Sequence, residues 1–116
     1  MAHSNAIQEK SYAFALRIVE IYKEMVKTKE FILSRQLLRS GTSIGANVEE
    51  ALQGQSRKDF ISKLSISLKE TCETKYWLRL LRDSKLLSQK TAQEALVYLE
   101  ELKKLLTAII KTSKLQ

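Results

Sequence analysis

The chain has 116 residues, 44% of them hydrophobic and 28% charged, with 20 Lys plus Arg against 13 Asp plus Glu and a formal net charge of +7. This is the profile of one globular domain, residues 1–116, long enough to bury about two-thirds of its unfolded surface without disulfide or metal staples. Without proline, and with only three glycines, the chain excludes a fold built on many tight turns and favours long helices.

The first predicted helix begins near Asn5, which can cap it while Gln8 completes a capping box. Ile7, Phe14, Ile18, Ile21 and Met25 keep heptad spacing, Ala15, Val19, Tyr22 and Val26 widen the stripe, and Arg17, Glu20, Glu24 and Lys27 fall opposite. The pattern fades at Thr28-Lys29-Glu30, which reads as a turn. A second helix is predicted from Phe31 to Gln53, with Gly54 in the left-handed conformation at its end. Ser56 caps a third, with Asp59 three residues on. Its inner face is Phe60, Ile61, Leu64, Leu68, Thr71, Leu78 and Leu81, and its end falls between Arg82 and Lys85. Ser88 caps the fourth, whose core positions are Ala92, Leu96, Leu99, Leu102, Leu106 and Ile109, while Lys111 and Lys114 complement its terminal dipole. Short connections make successive helices antiparallel neighbours, so the expected fold is all-α, an up-down antiparallel four-helix bundle.

The second helix carries two adjacent stripes. Leu37, Gly41, Ile44, Val48 and Leu52 form a buried face, and beside it Gln36, Ser40, Ser43, Asn47 and Glu50 set a polar residue at every turn. Polar groups next to a core are costly unless partnered, so this stripe implies either a helix-to-helix hydrogen-bond network or a site. The third helix offers a match in Lys63, Ser67, Glu70 and Thr74. The expectation is that Asn47 and Ser43 meet Ser67 and Glu70 across a contact that Gly41 and Gly45 allow to be close, with Arg39 and Lys63 neutralising Glu50 or Glu70. Gln36, Arg39, Ser43, Asn47, Glu50, Ser67 and Glu70 then form a polar seam that fixes helix register and subunit pairing.

The competing reading is a carboxylate metal or acid–base site built from Glu50, Glu70 and Glu73. Bundle metal sites pair such glutamates with histidine, and the only histidine is His3, close to the N-terminus. Gly-rich phosphate loops and Cys/His zinc spacings are missing from the sequence, so no catalysis, metal or cofactor is expected. Cys72 has no histidine to serve it as base and reads as a core thiol.

The positive charge is uneven: residues 56–86 alone carry +4. Lys75, Arg79 and Arg82 lie at i, i+4 and i+7 on one face of the third helix, with Lys69 nearby and Tyr76 and Trp77 interleaved. Cations mixed with flat rings hold phosphates and stack bases, which makes Lys69, Lys75, Arg79 and Arg82 candidate nucleic-acid ligands. The alternatives are a solvated face for the cations and a core or subunit contact for the aromatics. The lone cysteine and the lack of a signal-type leader favour the cytoplasm, and no apolar run approaches the ~20 residues that cross a bilayer, so no membrane partner is expected.

The run Gln36-Leu37, Arg39-Ser40, Ser43-Ile44, Asn47-Val48 and Glu50-Ala51, followed by Phe60, Ser67-Leu68, Glu70 and Trp77-Leu78, resembles the four-helix-bundle family of 23S ribosomal RNA intervening-sequence proteins, sometimes labelled ribosomal-protein-like. A relative of that family is the accessory variability determinant of diversity-generating retroelements. The resemblance implies a bundle that assembles into a homopentameric, barrel-like ring. For the retroelement relative it implies binding of nucleic acid and of a reverse transcriptase through basic surface. Residues and resemblance together lead to one expectation: a non-enzymatic homo-oligomer that binds RNA or DNA, as an accessory to a polymerase or ribonucleoprotein. The rival is a protein-interaction scaffold whose basic balance serves solubility.

Overall fold

The computed structural model describes the backbone of residues 2–116 and the side chains of residues 6–116. Four helices follow one another: α1 (Ala2–Lys27), α2 (Ile32–Leu52), α3 (Arg57–Asp83) and α4 (Gln89–Lys114). Each packs against its neighbours in the chain and α4 closes back on α1, giving an up-down bundle of 47 × 21 × 19 Å. The seam between α2 and α3 is the most extensive and that between α1 and α4 the thinnest.

Apolar periodicity places the core. Ile7, Phe14, Ile18, Ile21 and Met25 of α1 are all buried, as are Leu37, Ile44 and Val48 of α2, Leu64, Leu78 and Leu81 of α3, and Leu99, Leu102 and Leu106 of α4. Leu52, Phe60, Ile61, Leu68 and Leu96 pack only against its margin, whereas Ala95 and Ile110 are buried. A helix of 3.6 residues per turn drifts away from a strict seven-residue repeat, so the stripe broadens over 26 residues.

Several helix ends differ in detail from what the sequence leads one to expect. α1 is already helical at Ala2, so Asn5 occupies an interior position and its side chain lies outside the described residues. Gln8 completes no capping box; its amide donates to the Glu49 carboxylate at 3.0 and 3.1 Å, tying α1 to α2. At the other end of α1, Lys29 takes φ 65°, its N–H donates to the Val26 carbonyl (3.0 Å), and the Glu30 N–H donates to that of Met25 (3.3 Å). This is a Schellman ending with lysine in the position that usually holds glycine. Lys85 repeats it after α3, with φ 64° and Leu86 N–H donating to the Leu81 carbonyl at 2.9 Å.

Gly54, by contrast, has no positive φ. It is needed because a Cβ there would lie 2.8 Å from Asp59 Oδ2 and 2.9 Å from the Ala51 carbonyl. The start of α2 has no side-chain cap at Phe31; Glu30 reaches forward and accepts from the N–H groups of Leu33 (3.0 Å) and Ser34 (2.7 Å). Ser56 and Ser88 cap α3 and α4 as expected, accepting from Asp59 N–H (3.0 Å) and Thr91 N–H (3.1 Å).

Gly41 and Gly45 also act against a different helix. A Cβ at Gly41 would meet Ile18 Cγ1 at 2.8 Å, and one at Gly45 would meet the Ser11 carbonyl oxygen at 3.2 Å. The close approach these glycines permit is therefore between α2 and α1, not α2 and α3. Both glycines lie on the flank of α2 turned away from the polar stripe, about 100° or more from Ser40 and Ser43 at 3.6 residues per turn.

Candidate nucleic-acid interface

Helix α3 has two unlike flanks. On the side of α2, Ser67 Oγ donates to the Ile44 carbonyl at 2.8 Å, and the Thr74 and Ser40 hydroxyls share a hydrogen bond of 2.9 Å, both fully buried. Thr74 also donates to the Glu70 carbonyl at 2.7 Å. At the rim of the seam, Arg39 pairs with Glu73 and lies 3.7 Å from Glu70 Oε1, while Gln36 Oε1 accepts from Arg39 Nε at 3.5 Å. Lys63 and Glu50 close the far end at 3.0 Å, a bond that raises the lysine above its ordinary 10.5. Expected and observed networks differ at two residues: Ser43 and Asn47 do not cross to α3. Ser43 donates to the Arg39 carbonyl (2.6 Å) and Asn47 to that of Ser43 (2.9 Å), both within α2. The reason is competition. A carbonyl one turn back is always within reach of a short polar side chain. Glu70 Oε1 is the one buried side-chain nitrogen or oxygen without a hydrogen bond among the described residues, so Arg39 balances its charge only by proximity.

The flank facing α4 is open. Lys75, Arg79 and Arg82 line a groove of ≈ 490 Å³, whose opposite wall carries Leu96, Val97, Glu100 and Lys103 of α4. Lys75, Arg79 and Lys103 take part in no ion pair among the described residues. Arg82 is held by Asp83, Nε to Oδ1 at 2.8 Å, a hydrogen bond that draws the Asp83 carboxyl below its ordinary range. Lys69 is exposed but turns away from the groove walls, toward the outer face of α3. Of the four candidate cations, then, the structure gathers three, and one of these is already committed to an acid.

Lys103 and Glu100 escape a reading of the sequence because they belong to another helix. The signal is present nonetheless: counting equally outward from the α3–α4 turn sets Lys75 opposite Val97 and Cys72 opposite Glu100, which brings that stretch of α4, with Lys103 one turn on, to the groove.

Cys72 is exposed and lines the groove, so it is no core thiol; α3 offers its apolar stripe elsewhere. The two aromatics separate. Trp77 is half-buried against the core and donates to Glu73 Oε2 at 3.0 Å, whereas Tyr76 is 53% exposed and meets Trp77 edge-on, with ring centroids 5.1 Å apart. Ile66 (40%) and Leu80 (36%) share that outer face with Tyr76. Among the described residues no cluster of three His, Cys, Asp or Glu is placed to hold a metal ion, and no helix is long and apolar enough to cross a membrane.

The family described as 23S rRNA-intervening sequence protein matches residues 3–108. A crystal structure at 1.70 Å of a protein of unknown function from the S23 ribosomal protein family of Bacteroides thetaiotaomicron VPI-5482 is similar throughout. The two chains share 50% identity with a TM-score of 0.92, covering 94% of this chain and 98% of that one. No curated protein matches.

Proposed function

Because the chain belongs to the 23S rRNA-intervening sequence protein family, we propose that it works without catalysis, as a homo-oligomeric helical bundle that binds RNA or DNA through the α3–α4 groove. The observation that carries this reading is the trio Lys75, Arg79 and Lys103, which line one groove from two facing helices and form no ion pair among the described residues. Cations on both walls of one groove attract a phosphate chain. Cations meant only for solubility have no reason to converge.

Oligomerisation strengthens this reading. Ile66, Tyr76 and Leu80 on α3, with Tyr12 (63%) and Leu16 (53%) on α1, are apolar surface suited to contacts between copies, and a ring repeats the groove once per subunit. Weak phosphate contacts repeated in this way become useful avidity. The pentameric ring implied by the family likeness is the assembly we favour, with a reverse transcriptase or ribonucleoprotein as the larger partner. Fluorescence anisotropy with labelled RNA and DNA at two salt concentrations tests the binding, and native mass spectrometry tests the assembly. Affinity that falls with salt supports the proposal. Absence of binding at low salt, or binding without a salt slope, overturns it in favour of a protein-interaction scaffold.

A further inference from the structure

We infer that the groove selects unpaired strands over duplexes, and among unpaired strands those rich in cytosine or adenine. This deepens the nucleic-acid reading and rests on it. Three features of the groove lead here.

The first is shape. The cations stand inside a furrow between two packed helices, whose axes lie about 8–10 Å apart. A duplex, with a major groove alone about 12 Å wide, rides over such a furrow and touches only its rims. A single strand can lie within it.

The second is the floor. Leu96 is half-buried and Val97 is 54% exposed, so apolar surface lies open beside Lys75 and Arg79. Phosphates gain nothing from it, but the faces of unstacked bases do, and only an unpaired strand offers them.

The third is Glu100. It stands exposed in the groove without an ion pair among the described residues, on the wall that also carries Lys103. A carboxylate there repels a phosphate and breaks any continuous track of them. It can accept only hydrogen bonds, so it suits the 4-amino group of cytosine or the 6-amino group of adenine, and it repels the carbonyl at the same place in uracil and thymine. In a duplex one N–H of each amino group is taken up by pairing and the other points into the major groove, out of reach of a carboxylate set within the furrow.

The test uses the full chain and short labelled oligonucleotides of equal length: oligo-cytidine, oligo-uridine, their DNA counterparts, and oligo-cytidine annealed to its complement. The cytidine strand is expected to bind about tenfold tighter than either the uridine strand or the duplex. Glu100→Gln is expected to level cytidine and uridine, chiefly by tightening uridine, because an amide can donate to a carbonyl. Its circular dichroism and melting should match the parent chain, as Glu100 is exposed. Duplex affinity equal to or above that of the single strands overturns the inference and leaves the nucleic-acid reading standing. So does equal affinity for cytidine and uridine. A cytidine preference that survives Glu100→Gln removes Glu100 from it. If no probe binds, or none shows a salt slope, the broader reading falls and this one falls with it.

Discussion

The two flanks of α3 are made from similar residue types and come out differently. Toward α2, Ser67, Thr74 and Ser40 are buried and hydrogen-bonded, and Arg39 and Lys63 face acids. Toward α4, Lys75 and Arg79 line a groove with Leu96, Val97, Glu100 and Lys103, and neither forms an ion pair among the described residues. Polar groups that find partners inside the chain hold the fold together, and those left exposed without an ion pair are free to meet another molecule. Charge alone does not separate the two cases, since Arg39 and Arg79 differ only in what stands across from them.

The largest effect expected from breaking this contrast comes from Lys75→Ala, Arg79→Ala and Lys103→Ala together. Anisotropy should show affinity for RNA or DNA lowered roughly 100-fold and the salt slope reduced by about three, one for each phosphate left without its cation. Urea melts of the same variant should move by less than about 0.5 kcal/mol. Ser67→Leu is the converse. It forces a larger side chain against the Ile44 carbonyl and should cost about 1–3 kcal/mol in a denaturant melt, while the folded fraction binds as before.

A smaller, opposite effect is expected where α3 ends. Lys85 holds a left-handed conformation that favours glycine, so Lys85→Gly should stabilise the bundle by about 0.5–1 kcal/mol. It removes a cation that does not line the groove, and affinity should stay within about twofold of the parent. The smallest effect is on pH dependence. Lys63 is raised above 10.5 by its hydrogen bond to Glu50, so that bond contributes fully below pH 10.5 and fades as pH rises through the lysine's folded value. Tyr98 is raised above 10.0, first by burial and then by Glu101, which also makes the folded state lose stability as pH climbs past 10.0. Melting temperature should thus decline on the alkaline side, and in Lys63→Met the decline should be shallower.

Much of this architecture is legible in the sequence because helices advertise themselves by spacing. Every heptad position named in α1 is buried, and Ser56 and Ser88 cap where a serine ahead of an apolar run should. The failures are of other kinds. A left-handed Gly54 is the wrong reason for the right residue: its absent Cβ makes room for Asp59, while lysines take the left-handed positions. Gly41 and Gly45 meet α1 instead of α3, because periodicity says which face is buried and not which helix covers it. Ser43 and Asn47 satisfy themselves within their own helix. The groove is half legible: the α3 cations form a visible row, but Lys103 joins them only once the hairpin register is known.

The thin contact between α1 and α4 has its own consequence. Among the described residues two polar ties cross it, Arg17 to Glu94 at 2.8 Å and the Tyr98 hydroxyl donating to the Lys10 carbonyl at 3.1 Å, with Phe14 and Tyr98 tilted together beneath. Both ties sit at partly exposed sites where water competes for them. When the native molecule breathes, α1 should therefore part from α4 first, hinging on its glycine-lined contact with α2. Amides of α1 that face this margin would exchange with deuterium ahead of those along α2 and α3.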